Sequence, residues 1–151
     1  MYAKTAQGYY TLKSKKVFLY TDGGSRGNPG PAGIGVVILD SAKKRIKDFY
    51  KYIGETTNNV AEYNGVISAI EWLLKKNNSH SQLPVTFLLD SELVVKQING
   101  FYKVKDENLR NLFFEIMTKI KLLGGHIIFK HVPREENIIA DKLVNDELNS
   151  L

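Results

Sequence analysis

The sequence contains no cysteine. Disulfide bonds and a thiolate nucleophile are therefore excluded, and a metal ion could be held only by oxygen or imidazole ligands. Long apolar runs are also missing, since none approaches the ~20 residues that a membrane-spanning helix needs. The first sixteen residues contain no continuous apolar stretch typical of a secretory signal. A G-x-x-x-x-G-K-[ST] motif is absent too, which argues against a P-loop kinase. We therefore expect a cytoplasmic protein without a membrane partner.

Positive charge is in excess, with 21 lysines and arginines against 16 acidic residues and a formal net charge of +5. This balance favours a polyanionic partner, nucleic acid first. A length of 151 residues fits one domain with a substantial core. We expect that domain at residues 16–151, after an aperiodic N-terminal extension at residues 1–15. Nothing in the sequence implies a protein partner, and a monomer is expected.

Apolar periodicity and turn residues predict five strands and four helices. The strands are expected at residues 16–22, 33–40, 44–54, 83–90 and 126–132, and the helices at residues 57–76, 91–100, 106–125 and 134–148. Three successive strands followed by strands that alternate with helices are typical of an α/β fold. The sequence thus predicts a mixed five-stranded sheet flanked by helices.

Four carboxylates occupy positions where charge is unusual. Asp22 and Asp90 each end an apolar strand, and Glu62 lies on the apolar stripe of the long helix that also carries Val66, Ala69 and Leu73. The fourth carboxylate is Asp141, which lies in the last helix between Ala140 and Leu143. A turn cap or a dipole-stabilised surface group would explain any one of them.

All four carboxylates could meet at one end of the sheet. Like charges that close repel, and divalent cations are the usual remedy. An all-oxygen set favours Mg²⁺ or Mn²⁺ over zinc. Two such ions at ~3.5–4 Å would make a site for phosphodiester hydrolysis.

Four segments together resemble a known family. "YTDGGSRGNPGPAGIG", "TTNNVAEYNGVISAI", "LLDSELV" and "HVPREENIIAD" are similar to the successive motifs of type 1 ribonuclease H, in the family's order, and they span most of residues 17–148. The pattern is closest to the short bacterial and archaeal branch that lacks the basic protrusion. The resemblance implies a ribonuclease H-like fold with strand order 3-2-1-4-5 and strand 2 antiparallel.

The resemblance also implies an activity, namely metal-dependent hydrolysis of the RNA strand of RNA–DNA hybrids. Two ions, Mg²⁺ or Mn²⁺, would be held per active site, and the products would carry 5′-phosphate and 3′-hydroxyl ends. The metal ligands and catalytic carboxylates carried over by motif are Asp22, Glu62, Asp90 and Asp141. The hybrid is the implied partner.

The implied substrate contacts lie in the glycine-rich segment and at the start of the long helix. They are Gly23, Gly24, Asn28, Thr57, Asn58 and Asn59. Glycines let a backbone approach nucleic acid closely, and side-chain amides can both donate to and accept from a ribose 2′-hydroxyl. A tight connection between strands and simple helix capping explain the same residues without a substrate.

The family often carries a mobile catalytic histidine where this chain has His131. Its role would be proton transfer, and the alternative is a strand-end histidine in a structural hydrogen bond. We expect no function for His80 or His126. Glu92 replaces a glutamine that contacts substrate in well-known members.

The missing protrusion leaves only Lys103 and Lys105 in its place, so hybrid affinity is expected to depend on other lysines. The candidates are Lys13, Lys15, Lys16, Lys75 and Lys76. Two alternatives to the hybrid-specific enzyme stay open. One is a nuclease of broader specificity that includes double-stranded RNA, and the other is a catalytically silent hybrid-binding module.

Overall fold

The computed structural model describes residues 2–5, 8–11, 16–76 and 84–151. At the N-terminus, strands β1 (Tyr2–Thr5) and β2 (Gly8–Thr11) pair antiparallel as a separate two-stranded sheet. The expected extension thus contains an antiparallel strand pair. The domain boundary between residues 15 and 16 stays a prediction.

The apolar runs of the sequence form one five-stranded sheet. Its strands are β3 (Val17–Ser25), β4 (Gly30–Leu39), β5 (Arg45–Thr56), β6 (Val85–Leu89) and β7 (Ile127–His131). They lie in the order β5-β4-β3-β6-β7, with β4 antiparallel to both neighbours and β3, β6 and β7 parallel. Counted along the chain, these five strands have the order 3-2-1-4-5, so the predicted topology is confirmed.

Helices cover both faces of this sheet. They are α1 (Asn58–Lys76), α2 (Glu92–Ile98), α3 (Glu107–Leu123) and α4 (Ile138–Asn149). The main core lies between the sheet, α1 and α3, while α4 packs on the opposite face against β3, β4 and β5. No helix in the described part of the chain is long and apolar enough to span a bilayer.

The predicted apolar stripe of α1 is buried as expected. Glu62, Val66, Ala69 and Leu73 all lie against the interior, so the glutamate enters the core together with its apolar neighbours. The adjacent residue Tyr63 is fully buried and donates a 2.7 Å hydrogen bond from its hydroxyl to Gln97 Oε1 in α2. That bond ties α1 to the helix that follows Asp90.

Two element boundaries differ from the sequence-based expectation for tertiary reasons. Strand β3 continues to Ser25, because the ladder with β4 pairs Gly23 with Ile34 and Ser25 with Ala32. The expected glycine-rich loop therefore shrinks to residues 26–29. Helix α4 begins at Ile138 rather than at residue 134, because residues 134–136 form a separate 3-10 turn.

Glycine at position 23 allows α1 to contact β3 directly. A Cβ atom there would lie 2.2 Å from the carbonyl carbon of Ala61, which is backbone and cannot move aside. We expect Gly23→Ala to lower the free energy of unfolding by ~3 kcal/mol or more, as measured by urea denaturation.

Gly24→Ala is the matched control, because a Cβ at that position meets nothing closer than Val144 Cγ1 at 3.7 Å. Its unfolding free energy should change by no more than about 1 kcal/mol. Equal losses in the two variants would contradict this account of the β3–α1 contact.

Candidate active site

Two of the four predicted carboxylates lie side by side on neighbouring parallel strands. Tyr20 of β3 pairs with Leu88 of β6, so the same register places Asp22 beside Asp90. Asp22 does not end its strand, contrary to the prediction, but it lies beyond the last residue of β3 that pairs with β6. Both carboxylates therefore stand at the carboxyl end of the central strand pair.

The third carboxylate reaches the same point from α1. One oxygen each from Asp22, Glu62 and Asp90 can be chosen so that all lie within 4.8 Å of one another. Asp22 is 6% exposed and Glu62 is 8% exposed, so solvent screens their repulsion poorly. The structure thus brings three of the four predicted residues into one buried cluster.

Burial and crowding raise the pKa of each carboxyl group in the cluster. For Asp22, burial and the charges of Asp90 and Asp141 raise the pKa from 3.8 to about 7. Burial, followed by the charge of Asp22, holds the pKa of Glu62 well above its usual range. The pKa of Asp90 is also raised by burial, although the Arg134 guanidinium opposes that shift. At neutral pH the cluster therefore needs a proton or a cation.

The donor set of the cluster fits a hard divalent cation. All three groups supply carboxylate oxygens, and no histidine belongs to the set. Glu62 Oε2 is buried and accepts no hydrogen bond from the residues that the structure describes. Such an unpaired anionic oxygen is costly unless a ligand binds it.

Asp141 lies next to the cluster, in the first turn of α4, and is half-buried. Its charge raises the pKa of Asp22, but Asp141 does not belong to the set of three mutually close oxygens. One turn further along the helix, Asn145 Nδ2 lies 3.2 Å from the Asp141 backbone oxygen and 3.3 Å from Asp141 Oδ2. Asn145 was not predicted, although its spacing of four residues from Asp141 is the signal that could have identified it.

The carboxylates open into a cleft of about 390 Å³. Among the predicted substrate residues, Gly23, Gly24, Asn58 and Asn59 line it. The lining residues that sequence reasoning missed are Ser25, Arg26, Ser91, Arg134, Val144, Asn145 and Leu148. Arg134 Nε lies 3.9 Å from Asp90 Oδ2, and its side chain is 83% exposed. No periodicity marks this arginine, because it lies in the short turn before α4.

An amide network joins the end of β3 to the start of α1. Asn58 Oδ1 accepts a 2.9 Å hydrogen bond from the Ser25 backbone N–H and lies 3.1 Å from Ser25 Oγ. Asn28 Oδ1 accepts a 2.9 Å bond from the Asn58 backbone N–H. Because N–H groups can only donate, these contacts fix which atom of each amide is the oxygen. Each side chain therefore turns its amide oxygen towards the protein.

Two of the residues that helix capping could explain do cap the N-terminus of α1. Thr57 Oγ1 lies 3.3 Å from the Val60 nitrogen, and Asn28 Oδ1 accepts the bond from the Asn58 nitrogen. A second cavity, of about 450 Å³, opens beside this helix end. It is lined by Asn28, Thr56, Thr57, Asn58, Asn59, Val60, Asp106, Asn108 and Leu109. Two predicted substrate residues, Asn58 and Asn59, therefore line both cavities, whereas Asn28 and Thr57 line only the second.

The remaining predicted residues lie outside the cleft. His131 is exposed at the end of β7, where its charge lowers the pKa of Asp90. Glu92 is exposed and pairs with Lys96 at 3.3 Å, so its carboxylate does not join the acidic cluster. His126 is exposed, and His80 lies outside the described residues.

The proposed lysine contacts are described only in part. Five of these lysines are described by the structure, and all five are exposed: Lys16, Lys75, Lys76, Lys103 and Lys105. Lys13 and Lys15 lie outside the described residues. All of these contacts stay predictions.

The raised pKa of Asp22 makes the metal-free fold sensitive to pH. When the pKa of a carboxyl is higher in the folded chain than in the unfolded chain, its contribution to stability is fully present at a pH below the unfolded-chain pKa. That contribution is lost as the pH rises through the folded-chain pKa. For Asp22 this window runs from 3.8 to about 7. At pH 8 without metal, we expect Asp22→Asn to be more stable than wild type by up to about 4 kcal/mol, with the advantage shrinking towards pH 4.

Thermal unfolding in excess chelator across this pH range would measure the effect. Asp146→Asn, in which an exposed ion pair with Lys142 is lost, should change stability little at any pH. If Asp22→Asn has the stability of wild type at pH 8, burial and the neighbouring carboxylates do not raise the pKa of Asp22 as inferred.

Comparison with known proteins places these features in a family. The family model described as "Reverse transcriptase-like" matches residues 20–147. A ribonuclease H of Sulfurovum is 34% identical over 142 residues, which cover 88% of this chain and 90% of that protein. The bifunctional protein Rv2228c of Mycobacterium tuberculosis is 38% identical over 136 residues, but the match covers 89% of this chain and 36% of that protein.

Solved structures agree with the sequence comparison. The crystal structure of LC11-RNase H1 in complex with an RNA/DNA hybrid is 46% identical and superposes with a TM-score of 0.83, over 86% of this chain and 94% of that one. The match thus extends over nearly the whole of both chains. The chain belongs to the type 1 ribonuclease H family.

Proposed function

We propose that this chain is a metal-dependent endoribonuclease that hydrolyses the RNA strand of RNA–DNA hybrids. The observation that carries the proposal is the trio of carboxylate oxygens from Asp22, Glu62 and Asp90 within 4.8 Å of one another. The hybrid bound to LC11-RNase H1 supports the choice of substrate. The cytoplasmic location and monomeric state expected from the sequence stay predictions.

Mg²⁺ or Mn²⁺ is the proposed ion, with two ions per site when substrate is bound. Asp22, Glu62 and Asp90 would hold it, and Asp141 would complete the set from α4. When bound, such a pair supplies an activated water for in-line attack and stabilises the departing 3′ oxygen. The products would carry 5′-phosphate and 3′-hydroxyl ends.

The residues around the carboxylates would bind and orient the hybrid. Asn28 and Asn58 each present an NH₂ group, because both of their oxygens accept hydrogen bonds within the protein. These donors suit a ribose 2′-hydroxyl, the group that marks RNA. Arg26 and Arg134 are the two cations that line the described cleft, and their exposed guanidinium groups suit phosphates.

A cleavage assay with three matched duplexes tests this function. End-labelled RNA–DNA hybrid, double-stranded RNA and double-stranded DNA would each be incubated with Mg²⁺, with Mn²⁺ and with excess chelator. We expect metal-dependent cutting of the hybrid alone, and a loss of at least ~100-fold in Asp90→Asn because a metal ligand is removed.

Asp48→Asn is the control for this assay, since Asp48 pairs with Arg45 on β5 and does not line the cleft. Its hybrid cleavage should match wild type. Comparable cutting of double-stranded RNA would favour the broader nuclease. Binding of the hybrid without cutting in either metal would favour the silent binding module and reject the enzyme.

Arg134 offers a separate test of phosphate contact. The Arg134 side chain is 83% exposed and its Nε lies 3.9 Å from Asp90 Oδ2, so most of the guanidinium is available to a phosphate. In excess chelator, we expect Arg134→Ala to reduce the slope of log K against log salt for hybrid binding by about 1. Arg110→Ala, at an exposed position of α3, should leave the slope unchanged. Equal slopes in wild type and both variants would exclude an Arg134–phosphate contact.

A further inference from the structure

Asn137 is an uncharged polar residue buried between the segments that carry Asp22, Asp90 and Asp141. It lies between the 3-10 turn Arg134–Glu136 and α4, and it is 1% exposed. Its Oδ1 accepts no hydrogen bond within the part of the chain that the structure describes. Asparagine is seldom fully buried, and an unpaired buried oxygen is unfavourable. Packing alone therefore does not explain why an asparagine occupies this buried position.

The contacts of Asn137 reach the segments that carry three carboxylates. Its Nδ2 donates a 2.9 Å hydrogen bond to the backbone oxygen of Thr21, the residue before Asp22. Hydrogen-bond donation from the same side chain also lowers the pKa of the Asp90 carboxyl, against the larger effect of burial. Its backbone oxygen accepts the 3.1 Å bond from the Asp141 nitrogen that starts α4. One residue thus connects β3, the end of β6 and the first turn of α4.

The chemistry of a primary amide suits this position. An NH₂ group has two N–H donors and no charge, so it can hold a backbone oxygen and a carboxylate at once. A lysine or arginine would also hold the carboxylate, but its positive charge would repel the cation that the cluster needs. A hydroxyl would supply one donor instead of two. A neutral double donor therefore orients the ligands and leaves their charge for the metal.

We propose that Asn137 is a positioning residue that sets the relative placement of Asp22, Asp90 and Asp141 for metal binding. The proposal rests on the metal-dependent function proposed above and deepens it. Asn137 touches neither substrate nor the reacting atoms in this role. It acts through the three carboxylates, so its loss should affect metal binding and turnover more than binding of the hybrid.

Two variants of Asn137 separate positioning from fold stability. Asn137→Ala removes the amide and leaves a cavity, whereas Asn137→Leu removes the donors but keeps a side chain of similar size. The matched control is Asn99→Ala, because Asn99 Nδ2 donates a 3.2 Å bond to the backbone oxygen of Phe129 on β7. That amide makes the same kind of helix-to-strand contact, and it does not line the cleft.

The first measurement uses the free protein and no nucleic acid. The rise in Tm on adding millimolar Mn²⁺ reports metal binding to the folded state. We expect a clear rise in wild type and in Asn99→Ala, and metal affinity lower by ~10–100-fold in both Asn137 variants. The second measurement is hybrid cleavage over a range of Mg²⁺ concentrations, where kcat should fall by a similar factor and KM should stay within about threefold.

The outcomes distinguish the alternatives. If Asn137→Leu folds and binds Mn²⁺ as tightly as wild type, the residue is structural and the proposal is wrong. If wild type shows no rise in Tm with Mn²⁺, both the metal site and the positioning role fail. If metal binding changes as expected but wild type does not cut the hybrid, the positioning role stands and the proposed function fails.

Discussion

Repulsion among three buried carboxylates is the interaction on which the rest of the structure depends. Two unit charges about 4 Å apart repel by about 4 kcal/mol even in a medium as polar as a protein surface. Here one oxygen each of Asp22, Glu62 and Asp90 lies within 4.8 Å of the others. Burial, together with the neighbouring charges, raises the pKa of Asp22 to about 7. The folded chain must therefore hold together groups that would separate if they could. Two central strands and the long helix α1 supply that rigidity, because all three are anchored in one continuous core.

Close backbone approach is what brings Glu62 to the strands. Gly23 of β3 lies under Ala61, and Gly65 of α1 lies over Asp22, where a Cβ would be 2.9 Å from the backbone oxygen of Asp22. Two missing side chains, one on each element, let the helix axis approach the sheet more closely than larger residues allow. The distance between the carboxylates is thus set by backbone contacts on both sides of Glu62. The glycine at position 23 has this structural role whether or not it also contacts substrate.

The sequence was informative wherever a pattern is local. Apolar runs predicted all five strands of the main sheet, and the 3.6-residue period of α1 placed Glu62 correctly on the buried stripe. The features that were missed depend on contacts between distant parts of the chain. Asn137 and Thr21 are separated by 116 positions, and the extension of β3 to Ser25 depends on pairing with β4. The turn before α4, which brings Arg134 to Asp90, likewise leaves no periodic signal. No spacing rule within one segment can reveal such partners.

The polar groups around the cluster differ according to depth. Inside, the uncharged amide of Asn137 donates a hydrogen bond to the backbone of Thr21 and contributes no charge that would exclude a cation. At the rim, the charged group is Arg134, whose side chain is 83% exposed and can move away without losing a buried contact. The net charge of the whole chain is +5, although the centre of its cleft is acidic. The net positive charge of the chain attracts a polyanion. The three carboxylates repel a phosphate group of that polyanion unless a cation lies between them. A fixed neutral donor inside the site (Asn137) and an exposed arginine at its rim (Arg134) therefore suit a site that binds a metal ion and a phosphate together.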